Sequence, residues 1–132
     1  ATAALNGVDT ITGFAKATDT IDVNAFGTGV DTVALTTGLT TTAGVVYALG
    51  AQVAGSADSL TAAAAAINGT ATDIISANAT AWVILSDDNS TSIYSWTDVA
   101  AGTAGAQAGE LTLVGTIDAA MTTAEIAAAT LI

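Results

Sequence analysis

Short β-branched runs broken by glycine fill the first half of the chain. Thr10-Ile11-Thr12, Thr20-Ile21-Asp22-Val23 and Thr32-Val33-Ala34-Leu35 read as strands, punctuated by Gly7, Gly13, Gly27, Gly29 and Gly38. In the second and third runs, Ile21 with Val23 and Val33 with Leu35 lie two residues apart and share a strand face. Asp9, Asp19 and Asp31 open or precede the runs at spacings of 10 and 12 residues, the rhythm of a coil or meander repeat. Val45-Val46-Tyr47-Ala48-Leu49 is a further strand before Gly50.

The period then changes. Asp58 or Ser59 caps a helix over 58–67, the alanines from 62 to 66 propagate it, and Asn68-Gly69 ends it. Its apolar stripe is Leu60, Ala64 and Ile67. A hairpin follows: Ala81-Trp82-Val83-Ile84-Leu85-Ser86 and Thr91-Ser92-Ile93-Tyr94-Ser95-Trp96 flank the turn Asp87-Asp88-Asn89-Ser90. The run over 110–117 gives a third strand, with Leu111, Leu113 and Ile117 inward and Thr112 and Thr116 outward. Thr122-Thr123-Ala124-Glu125 is a capping box, with Met121 and Ile126 as its hydrophobic staple, and it starts a helix over 122–130. The fold expected is mainly β, a sandwich or roll-like sheet containing a three-stranded antiparallel meander, with two short helices near 58–67 and 122–130. Residues 1–132 read as a single β-rich domain.

Composition narrows the chemistry. Ala (32) and Thr (24) dominate 132 residues, and the chain holds no Cys, His or Pro. Catalytic triads, thiol nucleophiles and the usual zinc sites are therefore excluded. One Lys against 12 acids gives a net charge of −11, which argues against nucleic acid, anionic membranes and charge-clamped phosphates as partners. Charged residues are only 10% and mean hydropathy is +0.64, the reverse of a disordered composition. The long uncharged stretch from Val33 to Ala57 is interrupted by Thr and Gly and sustains no large apolar run, so no transmembrane helix and no membrane insertion are expected. The start, Ala1-Thr2-Ala3-Ala4-Leu5, lacks the basic and apolar regions of a signal peptide and reads as a processed chain or a piece of a longer one. Scarcity of trypsin sites points to a life outside the cell; absence of Cys does not argue against it.

Two segments carry a resemblance. Asp9-Thr10-Ile11-Thr12-Gly13-Phe14, with Thr18-Asp19-Thr20-Ile21-Asp22-Val23-Asn24-Ala25-Phe26, resembles the strands that follow the glycine-rich calcium repeats in type I secreted bacterial proteins of the RTX class. The hairpin over 81–96 and the run Ala108-Gly109-Glu110-Leu111-Thr112-Leu113 are similar to the C-terminal β-domains of the same proteins, among them surface-layer proteins, adhesins and exported hydrolases. The resemblance implies secretion, a β-rich fold and calcium as the one metal of interest. Three features depart from it. The nonapeptide calcium repeats are absent, Gly13 stands where the family often has Asp, and the loop over 98–107 lacks the usual acidic run.

Candidate sites follow from oxygen chemistry. Asp9, Asp19, Asp22 and Asp31 form the first candidate calcium cluster, and Asp87, Asp88 and Asn89 the second; capping and turn formation are the competing roles. Asn68, Asn78 and Asn89 head N-glycosylation sequons. Tyr94 and Trp96 are candidates for an outward aromatic contact surface for sugars or for other copies, against ordinary core packing. No catalytic residue and no cofactor other than calcium is indicated.

The expected function is that of a non-enzymatic extracellular structural protein or module at the cell surface. It self-assembles into a layer, fibre or matrix, its partners being copies of itself, with cell-surface glycans as further candidates. The alternatives are a C-terminal secretion and folding domain of a larger type I substrate, or a calcium-dependent adhesion or carbohydrate-binding domain.

Overall fold

Val83, Ile84 and Leu85 are apolar in succession, so a strand built from them offers an apolar side chain to both faces of its sheet and needs cover on both. That requirement organises the molecule. The structure is a computed structural model describing residues 8–22, 32–35, 39–41, 44–49, 53, 55–69, 71–74, 79–99 and 105–131. In chain order the elements are β1 (Asp9–Ile11), β2 (Ile21–Asp22), β3 (Thr32–Leu35), β4 (Leu39–Thr41), β5 (Val46–Leu49), α1 (Leu60–Asn68), β6 (Ala71–Ile74), β7 (Thr80–Ser86), β8 (Thr91–Thr97), β9 (Leu111–Ile117), α2 (Thr123–Ala129) and β10 (Thr130–Leu131).

Among the described residues, six strands form one mixed sheet in the order β1-β9-β8-β7-β5-β3. β8 is antiparallel to β7 and to β9, while β1 runs parallel to β9, β5 to β7 and β3 to β5. Two smaller parallel pairs, β10 with β2 and β4 with β6, form separate two-stranded sheets. The step from β5 to its parallel neighbour β7 requires a crossover, and α1 provides it.

Alternation along the strands sorts the core into two clusters. Tyr47, Leu49, Val83, Leu85, Tyr94, Trp96 and Leu111 face α1 and pack on Ala63, Ala64 and Ile67. Val46, Ala48, Ile84, Ile93 and Ile117 face the other way, onto Met121, Ile126 and Ala129 at α2 and onto Ile21 of β2. The protein is thus mostly β, with a mixed sheet and a short helix on each face. Among the described residues the cover on each face of the six-stranded sheet includes a helix. The antiparallel run β7-β8-β9 sits inside the sheet between parallel strands, so a three-stranded meander is only part of the architecture.

Local chemistry explains the helices. Ser59 is the N-cap of α1, its Oγ accepting from the Ala62 N–H at 3.4 Å. Leu60, expected in the buried stripe, is 39% exposed; Ala63 takes its place beside Ala64 and Ile67. At α2 the capping box forms: Glu125 Oε2 accepts from the Thr122 N–H at 2.8 Å, and Thr122 Oγ1 accepts from the Glu125 N–H at 3.2 Å. Met121 and Ile126 are both buried in the α2-side cluster, the disposition a staple needs.

In β9 the expected single inward face is corrected. Ile93 pairs with Gly115 but Tyr94 with Leu113, so Val114 is an extra residue, a β-bulge. The bulge swaps faces: Leu111 and Leu113 pack toward α1, whereas Val114 and Ile117 pack toward α2.

Candidate functional site

Among the described residues three carboxylates are buried, and the chain's own donors occupy two of them closely. Asp87 accepts from the backbone N–H groups of Ala57 (2.6 Å), Asn89 (2.7 Å) and Ser90 (2.7 Å) and from Ser90 Oγ (3.2 Å). Burial alone pushes its carboxyl upward, but these hydrogen bonds outweigh it and hold the group below the usual aspartate value. Glu110, ending a 3₁₀ turn before β9, accepts from Trp96 Nε1 (3.4 Å), the Val99 N–H (3.3 Å) and the Gln107 N–H (3.0 Å). The third, Asp98, donates its backbone N–H to the Ala79 carbonyl at 3.2 Å. Asp87 and Glu110 fasten loops to the hairpin; their spacing in the sequence gave no sign of it, although a lone Glu110 directly before an apolar strand was a usable clue.

The aromatic candidates are core residues. Tyr94 and Trp96 are fully buried on the α1 side, so they form no outward surface. The reason is register: both alternate with Ile93 and Ser95 on a strand covered on each face. Tyr94 Oη donates to the Ala57 carbonyl at 2.7 Å, and burial, then the nearby Asp58, push its phenol far above the ordinary value. Trp82, on the α2 side, is only half-buried.

The first acidic set is dispersed over different roles. Asp9 opens β1, Asp22 closes β2, and Asp19 accepts from the Ala15 N–H at 2.8 Å as a turn cap; Asp31 lies outside the described residues. In the second set, Asp88 and Asn89 are exposed while Asp87 is committed to the turn. Among the described residues, no group of three or more acidic side chains could hold a metal ion. Of the sequons, Asn78 lies outside the described residues. Asn68 is exposed but donates Nδ2 to the Ala106 carbonyl at 2.8 Å. Asn89 is exposed, whereas the Thr91 of its sequon is buried, with Oγ1 donating to the Ala119 carbonyl at 2.7 Å and lying 2.6 Å from Ser86 Oγ.

The surface that stands apart is the β1 edge of the sheet. All three β1 residues are exposed, with Ile11 at 47% and the preceding Val8 at 48%. The Ile11 carbonyl accepts from the Asp118 N–H at 2.9 Å, and the Asp9 carbonyl faces Gly115, so both residues direct their polar backbone toward β9. Backbone groups alternate along a strand, so the N–H and C=O of Thr10 point away from β9, to the side where β1 has no ladder partner among the described residues. The only lysine does not guard this edge. Lys16 Nζ donates to the Ala120 carbonyl at 2.8 Å and pairs with Glu125 Oε1 at 3.2 Å, beside a shallow recess of about 480 Å³ lined by Ala15, Lys16, Ala17 and Glu125. Thr10-Ile11-Thr12 read as a strand in the sequence; that it lies at the edge depends on its pairing with residues more than a hundred positions away.

Among the described residues, no helix is long and apolar enough to cross a membrane. No protein family, curated protein or solved structure gives a significant match to this chain.

Proposed function

We propose that the chain is a non-enzymatic extracellular structural module that self-assembles through its sheet edges into a fibre, layer or matrix. The observation that carries this reading is β1: a three-residue strand, exposed throughout, with Val8 and Ile11 in solvent and no cation beside it among the described residues. Natural sheets blunt such edges with lysines, prolines or covering loops, and this sequence has one Lys and no Pro. A second copy supplies the backbone partners that β1 lacks among the described residues, at little desolvation cost, because apart from Asp9 the side chains from Val8 to Thr12 are uncharged. The scarcity of Lys and Arg and the likeness to RTX-class secreted proteins support a place outside the cell.

Sedimentation velocity and negative-stain microscopy of the purified chain, across ionic strengths and with or without calcium, test the proposal. Concentration-dependent polymers are expected. Monomers throughout would refute it.

A further inference from the structure

Granting self-assembly, the strand directions say how copies join. β1 is parallel to β9, β9 and β7 are both antiparallel to β8, and β5 and β3 are parallel to β7. The two outer strands of the sheet, β1 and β3, therefore run the same way. They are also matched in length, three residues against four, and among the described residues each has a single ladder partner.

We infer that β1 of one copy pairs in parallel with β3 of the next, so that the six-stranded sheets join head to tail into one continuous sheet. A pair of identical edges, β1 on β1, would need a two-fold axis and, with no second contact, would stop at a dimer. Pairing of two different edges leaves one of each free after every addition, and stacking sheets side by side in this way extends along a line. Charge favours the mixed edge as well. β1 carries Asp9, whereas Thr32-Val33-Ala34-Leu35 carries no charge, so the mixed pairing never sets one Asp9 beside another. Strand twist is cumulative, so the product is a twisted filament rather than a flat layer. Because every copy carries −11 charges, screening by salt promotes growth.

The test uses Thr10→Pro. Proline at position 10 removes the outward N–H and spares the groups of Asp9 and Ile11 that face β9, a placement edge strands tolerate. The variant keeps β3 free, so it can accept a growing end but cannot pass growth on. Mixed at one part in ten with the wild-type chain, it is expected to cut mean filament length to about ten copies. Thr12→Pro, which removes the next N–H on the side away from β9, serves as the second blocker if Thr10→Pro does not fold by circular dichroism. Filaments of unchanged length in the presence of a folded blocker would overturn the β1–β3 pairing while leaving self-assembly intact. Wild-type dimers that do not grow would also overturn it, in favour of pairing between identical edges. A wild-type chain that never assembles would sink the functional proposal and this inference together.

Discussion

Asp87 and Tyr94 grip the same residue from opposite sides: Asp87 Oδ2 accepts from the Ala57 N–H at 2.6 Å, and Tyr94 Oη donates to the Ala57 carbonyl at 2.7 Å. Ala57 is fully buried just ahead of the Ser59 cap, so the two side chains fix the entry to α1 against the hairpin. A small residue held by both its polar groups is a way to dock a crossover without bulk.

Tyr94→Phe keeps the ring and removes the donor. The Ala57 carbonyl is then left buried without that partner, which costs about 1–3 kcal/mol. Thermal unfolding should show a lower Tm with native far-UV circular dichroism. An unchanged Tm would mean that the hydroxyl does not hold the loop.

Asp87 gives the fold an acid-sensitive point. Its folded pKa lies below the ordinary aspartate value, so its contribution is fully present above that ordinary value and is lost as pH falls through the lower folded value. Urea unfolding between neutral pH and pH 2 should show stability dropping at the acid end. In Asp87→Asn the drop should be shallower and the starting stability lower, since three N–H donors lose their anionic acceptor.

Gly105 sits at φ +92°, and a Cβ there would overlap the side-chain amide of Asn68. Gly105→Ala therefore carries backbone strain and a collision, together on the order of 1–3 kcal/mol. Adding Asn68→Ala relieves the collision alone. A double-mutant cycle should find the pair less damaging than the sum of the singles, and strict additivity would contradict the contact.

The two tryptophans differ in depth, Trp96 being fully buried and Trp82 half-buried. Acrylamide should quench Trp82→Phe, which retains Trp96, weakly and from blue-shifted emission. Trp96→Phe should be quenched more readily. Equal quenching would place Trp96 nearer the surface.

Much of this fold was legible from local signals. The Thr122–Glu125 capping box, the Ser59 cap and the Asp87 turn are chemistry between residues two or three apart, and each formed as the residue types require. The layering was harder to see. A run such as Val83-Ile84-Leu85 needs cover on both faces, yet nothing local says that the cover is two alanine-rich helices on opposite sides. The inward face assigned to Leu111, Leu113 and Ile117 failed because a bulge at Val114 depends on how β8 pairs, which is a property of two strands together. Tyr94 and Trp96 misled for a related reason: a strand inside a two-sided core has no outward face to offer. The β1 edge was visible as a strand but not as an edge, because its partner β9 is distant in sequence.

The sheet also works as a partition. The residues touching α1 and those touching α2 make two separate clusters, with the backbone ladder between them. A repacked residue in one compartment meets no side chain of the other, so each half can drift under mutation, or be redesigned, on its own terms. An evolving lineage could remodel the α2 layer while inheriting the α1 layer whole, using one chain as two nearly independent experiments.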